Sequence, residues 1–212
     1  MIFISFWILF QKLLIFNKFL DIIYSEVRYM LIERKEYLDK LLGWKDKRII
    51  KVITGVRRCG KSTLMDMFRN RLMSDGVEAS RIVFINFEDY DLYYLRDPAE
   101  LYNYIKSRLV PDKMNYIFLD EVQHVIDFAR IADSLYIKKN VDLYLTGSNA
   151  YMLSGEIATL LSGRYVEISM LPLSFREYAE STGSTSELGR KYADYLVNSS
   201  FPYTLELRDN AG

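Results

Sequence analysis

The stretch Gly55-Val56-Arg57-Arg58-Cys59-Gly60-Lys61-Ser62 has the spacing G-x-x-x-x-G-K-[ST]. Its chemistry resides largely in the backbone. Glycines let consecutive N–H groups turn inward around phosphate oxygens, and a helix that follows points its positive dipole end at the same anion. Lys61 supplies a point charge for the β- and γ-phosphates. Ser62 offers its hydroxyl to a magnesium ion, which keeps most of its waters and takes few protein ligands. Arg57, Arg58, Cys59 and Thr63 complete the expected nucleotide-contact set with Gly55, Gly60, Lys61 and Ser62. The alternative is a chance glycine-rich turn. Against it stands the context, an apolar run from Ile49 to Thr54 before the loop and a helical pattern from Lys61 after it.

A second group narrows the chemistry. Tyr116-Ile117-Phe118-Leu119-Asp120-Glu121 is an apolar run ending in two acids, the pattern of a strand buried on both faces with carboxylates at its tip. Open parallel sheets bind ligands at that edge, so Asp120 is expected beside the magnesium that Ser62 holds. Glu121 is then the natural base for an attacking water. The plainer reading is that two acids end a strand. A guanine-reading Asn-Lys-x-Asp motif is absent, since the one Asn-Lys pair, Asn17-Lys18, is followed by Phe19 and Leu20. The nucleotide implied is ATP.

A third segment, Asp142-Leu143-Tyr144-Leu145-Thr146-Gly147-Ser148-Asn149, is another apolar strand with a polar tip. These motifs, in this order, resemble the AAA-superfamily ATPases. More specifically, the chain is similar to bacterial and archaeal ATPases that join an AAA-like N-terminal domain to an uncharacterised C-terminal domain. That likeness is carried by Ile32-Glu33-Arg34-Lys35-Glu36-Tyr37-Leu38, by Ile53 to Leu64 around the loop, and by Asp120-Glu121-Val122-Gln123. It extends through Leu161-Ser162-Gly163-Arg164-Tyr165 and Leu171-Pro172-Leu173-Ser174-Phe175-Arg176-Glu177-Tyr178.

The resemblance implies an ATP-hydrolysing α/β P-loop domain, a three-layer sandwich around a parallel five-stranded sheet of order 5-1-4-3-2. It also implies that the third segment lies between the strands bearing the two phosphate motifs. Ser148 or Asn149, with Asn149 preferred, would then orient the lytic water; the alternative is that both cap the next helix. Arg164, just before the last strand, matches the position from which an arginine reaches a neighbouring subunit's γ-phosphate. A trans arginine implies a homo-oligomer; a surface ion pair is the other reading.

Half of the 212 residues are apolar, enough for one sizeable core. Formal net charge is zero, so nucleic acid as a client is conceivable by kinship but has no support from charge. A lone cysteine excludes an intramolecular disulfide and, with a lone histidine, His124, offers no zinc site. A cytoplasmic setting fits. Cys59 lies among cations near a helix start, conditions that lower a thiol pKa, although a small residue filling space is the plainer account.

Around these residues the chain divides into an apolar extension over 1–30, an ATP-binding domain over 31–180, and a linker with the start of a truncated C-terminal domain over 181–212. The extension is too short and broken for a membrane span and lacks the marks of a signal peptide. Translation from Met30 and an interfacial anchor both remain open readings; membrane association rests on that extension alone.

Between the ends, strand and helix alternate. Leu31, Leu38, Leu41 and Leu42 form one helical face, stopped by Gly43. A strand is expected over Arg81 to Glu88 with an acidic exit through Asn86, Glu88, Asp89 and Asp91. Helices follow from Pro98 to Leu109 and from Ile126 to Lys138, and the last strand is Tyr165 to Met170. The function so implied is magnesium-dependent ATP hydrolysis coupled to an effector or to a client that the sequence does not identify. The alternative is a nucleotide-binding remnant with negligible turnover.

Overall fold

The computed structural model describes residues 32–147, 161–181 and 187–203. Two compact units divide the chain, Arg34–Pro172 and a second made of Met1–Glu33 with Leu173–Gly212.

Arg34–Pro172 is built on five parallel strands: β1 (Ile50–Gly55), β2 (Ile82–Asn86), β3 (Asn115–Asp120), β4 (Val141–Gly147) and β5 (Tyr165–Met170). Their order across the sheet is β2-β3-β4-β1-β5, the expected 5-1-4-3-2 read from the other edge. β1 and β3 are buried at every position, and this is why they read as continuous apolar runs rather than alternating ones.

Successive strand residues face opposite sides, so the period of two sorts the core into two layers. Ile117, Leu119, Leu143 and Leu145 pack with α3 (Pro98–Arg108) and α4 (Phe128–Tyr136) through Leu101, Ile105, Ile131 and Leu135. On the other face Ile53, Phe118 and Tyr144 pack with α1 (Lys35–Trp44) and α2 (Lys61–Ser74) through Leu41, Leu64, Phe68 and Leu72. The Phe118 and Tyr144 rings stack there at 4.8 Å. This is the three-layer α/β sandwich of a P-loop domain.

Local signals set most of the element ends. Asp97 caps α3 by accepting from the N–H groups of Ala99 and Glu100, with Pro98 at the first helical position. Gly43 does not stop α1, which runs on to Trp44 and closes with the Lys45 N–H on the Leu42 carbonyl. Leu31 falls outside the described residues. The strand expected over Arg81 to Glu88 is shorter, because a 3₁₀ turn occupies Ala79–Arg81 and Asn86 turns the chain by accepting from the Glu88 N–H at 2.8 Å. The helix expected from Ile126 begins at Phe128. Asp127, with φ at 50°, breaks the path between a 3₁₀ turn at Val122–His124 and that helix.

One apolar-reading strand carries a buried cation. Lys51 in β1 is 0% exposed and forms an ion pair with Asp142 of β4, itself 2% exposed. Asp142 also accepts from the Asp46 N–H at 2.9 Å and from the Tyr144 hydroxyl at 2.8 Å, while the Tyr116 hydroxyl donates to Asp46 at 2.7 Å. Burial pushes the Lys51 amine down and the Asp142 carboxyl up, with each partner opposing the other's shift. The network ties the turn entering β1 to the floor of the sheet.

In the second unit, α5 (Phe175–Ser181) and α6 (Leu188–Asn198) pack through aromatic edges, with Phe175 and Tyr192 5.1 Å apart and Tyr178 and Tyr195 5.3 Å apart. The Tyr195 hydroxyl donates to the Leu173 carbonyl at 2.7 Å. Among the described residues no helix is long and apolar enough to cross a membrane.

Candidate active site

The C-terminal ends of β1, β3 and β4 lie side by side, and the sheet register brings their polar residues to one edge. Gly55 ends β1 with φ at 156°, where a Cβ would stand 2.4 Å from the Met170 carbonyl oxygen and 2.8 Å from Cys59 Sγ. Only glycine fits there. Gly60, at φ 101°, turns the loop into α2 and offers that helix no side-chain cap. The first amides of α2 therefore meet no capping side chain, which suits an anion at that end.

Lys61 is almost fully buried, its ammonium 3.3 Å from the Gly55 carbonyl oxygen and 3.4 Å from Glu121 Oε1. Ser62 is half-buried beside Asp120, and Thr63 is exposed on the first turn of α2. Asp120 itself is fully buried. The Thr146 hydroxyl donates to its Oδ1, and Oδ2 is buried with no hydrogen-bond partner. Burial pushes this carboxyl above its ordinary range, against the Thr146 and Ser62 hydroxyls beside it, which favour the charged form. Glu121 sits in the left-handed region at φ 58°, where a residue with a Cβ is strained. Its Oε2 accepts from Gln123 Nε2 at 2.5 Å.

A buried, unpaired carboxylate oxygen close to a serine hydroxyl and a lysine ammonium fits a divalent cation with a polyphosphate. Among the described residues there is no cluster of three or more His, Cys, Asp or Glu side chains that could hold a metal without such a ligand.

The remaining candidates divide. Arg57 projects into solvent and pairs with Glu88 at 2.9 Å, so the acidic exit of β2 meets the loop through one exposed ion pair. The rest of that exit is a turn, with Asp89 accepting from the Asp91 N–H at 3.0 Å. Arg58 is exposed at φ 67°. Cys59 is buried, and burial raises its thiol pKa more than Lys61 and Arg34 lower it, opposite to the direction expected from the cations alone. It packs under the loop as a small apolar residue. Ser148 and Asn149 lie outside the described residues.

Arg164 is not brought to this edge. Its carbonyl accepts from the Ile50 N–H at the start of β1, so β1 separates it from the phosphate loop by about 17 Å at about 3.3 Å per residue. Its guanidinium forms an ion pair with Asp133 of α4.

Three residues near the loop, Arg34, Tyr37 and Thr146, carry no site role in the sequence pattern. Arg34 is buried at the entry to α1, donating to the Cys59 carbonyl at 3.2 Å and the Leu171 carbonyl at 2.7 Å. Tyr37, whose ring lies 4.8 Å from the Arg34 guanidinium carbon, accepts from the Leu171 N–H at 3.2 Å. Together they clasp the loop to the end of β5. No local pattern marks Arg34 for this role, because both of its acceptors are distant backbone carbonyls. Thr146 is the third, and a hydroxyl at a strand end is its only signal in the sequence.

Residues 47–179 match the family model of the AAA domain. The chain belongs to the AAA domain family. Its relatives include an uncharacterized protein of Haemophilus influenzae, 40% identical over 176 residues, which takes in 81% of this chain and 44% of that protein. An uncharacterized protein of Methanocaldococcus jannaschii is 31% identical over 163 residues, 72% of this chain and 35% of its own length. This AAA chain thus spans less than half the length of either relative. Among solved structures, a Walker-type ATPase of Pyrococcus abyssi superposes with a TM-score of 0.56 at 17% identity, covering 81% of this chain and 65% of that one. AMPPCP-bound DnaA of Aquifex aeolicus superposes with a TM-score of 0.53 at 16% identity, covering 82% and 58%. At such identities these two matches speak for the fold, and it is the AAA family that points to a nucleotide-binding ATPase in general.

Proposed function

We propose that this AAA domain binds ATP with magnesium and hydrolyses it, coupling turnover to an effector segment or partner. The observation that carries the reading is the convergence of Lys61, Ser62, Asp120 and Glu121 at one sheet edge, with Asp120 Oδ2 buried and unpaired. The loop amides and Lys61 bind and orient the β- and γ-phosphates. Ser62 and Asp120 are the side chains that would hold magnesium, which would supply positive charge against the phosphate oxygens. Glu121, already at the sheet edge, accepts the proton of the attacking water. Ser148 or Asn149 would orient that water.

The Glu121 carboxylate is held between Lys61 and Gln123. A γ-phosphate competes for Lys61 and so releases Glu121 for general-base work, which links the base to occupancy of the site. Arg164, on the opposite edge, could serve a phosphate only from a second copy of the chain, and it must first leave Asp133. These two engaged pairs favour a second reading, a nucleotide-binding switch whose turnover stays negligible until a partner completes the site.

Nucleotide binding and steady-state hydrolysis, measured across protein concentration, separate the two. Hydrolysis predicts that Lys61→Ala loses binding, and that Glu121→Gln keeps binding while turnover falls about 10²-fold or more. Per-chain turnover that rises with concentration and drops in Arg164→Ala supports the trans arginine. Binding without turnover at any concentration supports the switch, and no Lys61-dependent nucleotide binding refutes both.

A further inference from the structure

β4 is the central strand, and the register pairing Leu119 with Leu145 carries Asp120 of β3 alongside Thr146. Thr146 stands two residues beyond Tyr144, so its side chain leaves the sheet on the face covered by α2. It is fully buried. A threonine hydroxyl has one proton and two lone pairs. Here it accepts from the Glu121 N–H at 2.9 Å and donates to Asp120 Oδ1.

These two bonds fix both acids through one atom. Asp120 Oδ1 is occupied, so Oδ2 is the oxygen left bare. Glu121 follows directly in the left-handed region, at φ 58°, and its N–H bond to Thr146 anchors that strained backbone. We propose that Thr146 is a positioning residue of the hydrolytic site: its hydroxyl selects which oxygen of Asp120 faces the metal side and holds the Glu121 backbone in its working conformation. The proposal rests on the ATP-hydrolysis reading. It is distinct from any water-orienting role of Ser148 or Asn149, because Thr146 acts through the two acids and not on the phosphate.

The test uses the full chain with Thr146→Val, which keeps the shape and removes the hydroxyl, and Thr146→Ser, which keeps the hydroxyl. Thr146→Ala serves as a second hydroxyl-free variant should valine pack poorly. A fluorescent ATP analogue is titrated with magnesium and again with EDTA, and kcat and KM are measured alongside wild type and Lys61→Ala. The hydroxyl-free variants are expected to bind nucleotide in EDTA as wild type does. They lose most of the affinity gained from magnesium, and their kcat falls about tenfold or more, the scale of one lost charge-assisted hydrogen bond. Thr146→Ser recovers both to within about threefold. Unchanged magnesium dependence and kcat in either hydroxyl-free variant overturns the proposal, as does a Thr146→Ser variant no better than valine. If wild type itself shows no Lys61-dependent binding, it is the ATP reading that has failed.

Discussion

Replacing Gly55 by alanine places a methyl carbon 2.4 Å from the Met170 carbonyl oxygen and 2.8 Å from Cys59 Sγ. Restoring ordinary contact requires a shift of about 1 Å at the oxygen. The Met170 oxygen is backbone at the end of β5, and Cys59 Sγ belongs to the loop itself. The residue after Met170 and the carbonyl of Cys59 are both gripped by Arg34, at 2.7 Å and 3.2 Å. The displacement therefore falls on the phosphate loop, which holds both Gly55 and Cys59, or on the Arg34 clasp that ties it to β5.

Overpacking of this kind costs about 1–3 kcal/mol of stability, and a misplacement of about 1 Å at a reacting centre costs about 10²-fold in rate. Gly76→Ala is the control, since it carries a positive φ of 90° but has nothing within 4 Å of a new Cβ. It isolates the conformational cost, about 1–2 kcal/mol. Chemical denaturation gives the stability term, while nucleotide titration and steady-state hydrolysis give the functional one. A Gly55→Ala protein that melts, binds and turns over like Gly76→Ala would refute the close-approach argument.

Removing the buried ammonium with Lys51→Met leaves Asp142 charged and 2% exposed, which is expected to cost about 3–5 kcal/mol. Asp142 is already pushed above its ordinary 3.8 by burial and loses the partner that opposed that shift. Its folded pKa then exceeds the unfolded one, so the penalty is full above the raised value and shrinks as pH falls through it toward 3.8. Urea titrations of the variant and wild type should converge toward acid, and an equal gap at mildly acidic and neutral pH contradicts the account. Cys59, buried and with its thiol pKa raised, should alkylate slowly in the native protein and fast in urea. Rapid native labelling at neutral pH contradicts that placement.

The fold was legible because its three central strands, β1, β3 and β4, are buried on both faces. β1 and β3 announce themselves as apolar runs, and each ends in residues that only a parallel sheet's C-terminal edge can use. Element ends were less legible where turn geometry overrode pattern, as at Asp127, whose left-handed backbone delays α4, and at Gly43, which the helix absorbs. Lys51 was hidden for a different reason. Its apolar neighbours made it one polar interruption, and the acid that neutralises it lies 91 residues away.

From its own residues the sequence determined the phosphate loop, the acid pair and the strand–helix alternation that presents them, because those depend on spacing along the chain. It could not determine the direction of the Cys59 pKa shift, since neighbouring charges are legible in sequence while burial is not. Nor could it show that Arg34 braces the loop, or that Thr146 holds Asp120 and Glu121 together. Those contacts join residues brought near only when β3, β4, β1 and β5 align. Tertiary structure decided them, because hydrogen bonds over a few ångströms depend on register and packing rather than on distance along the chain.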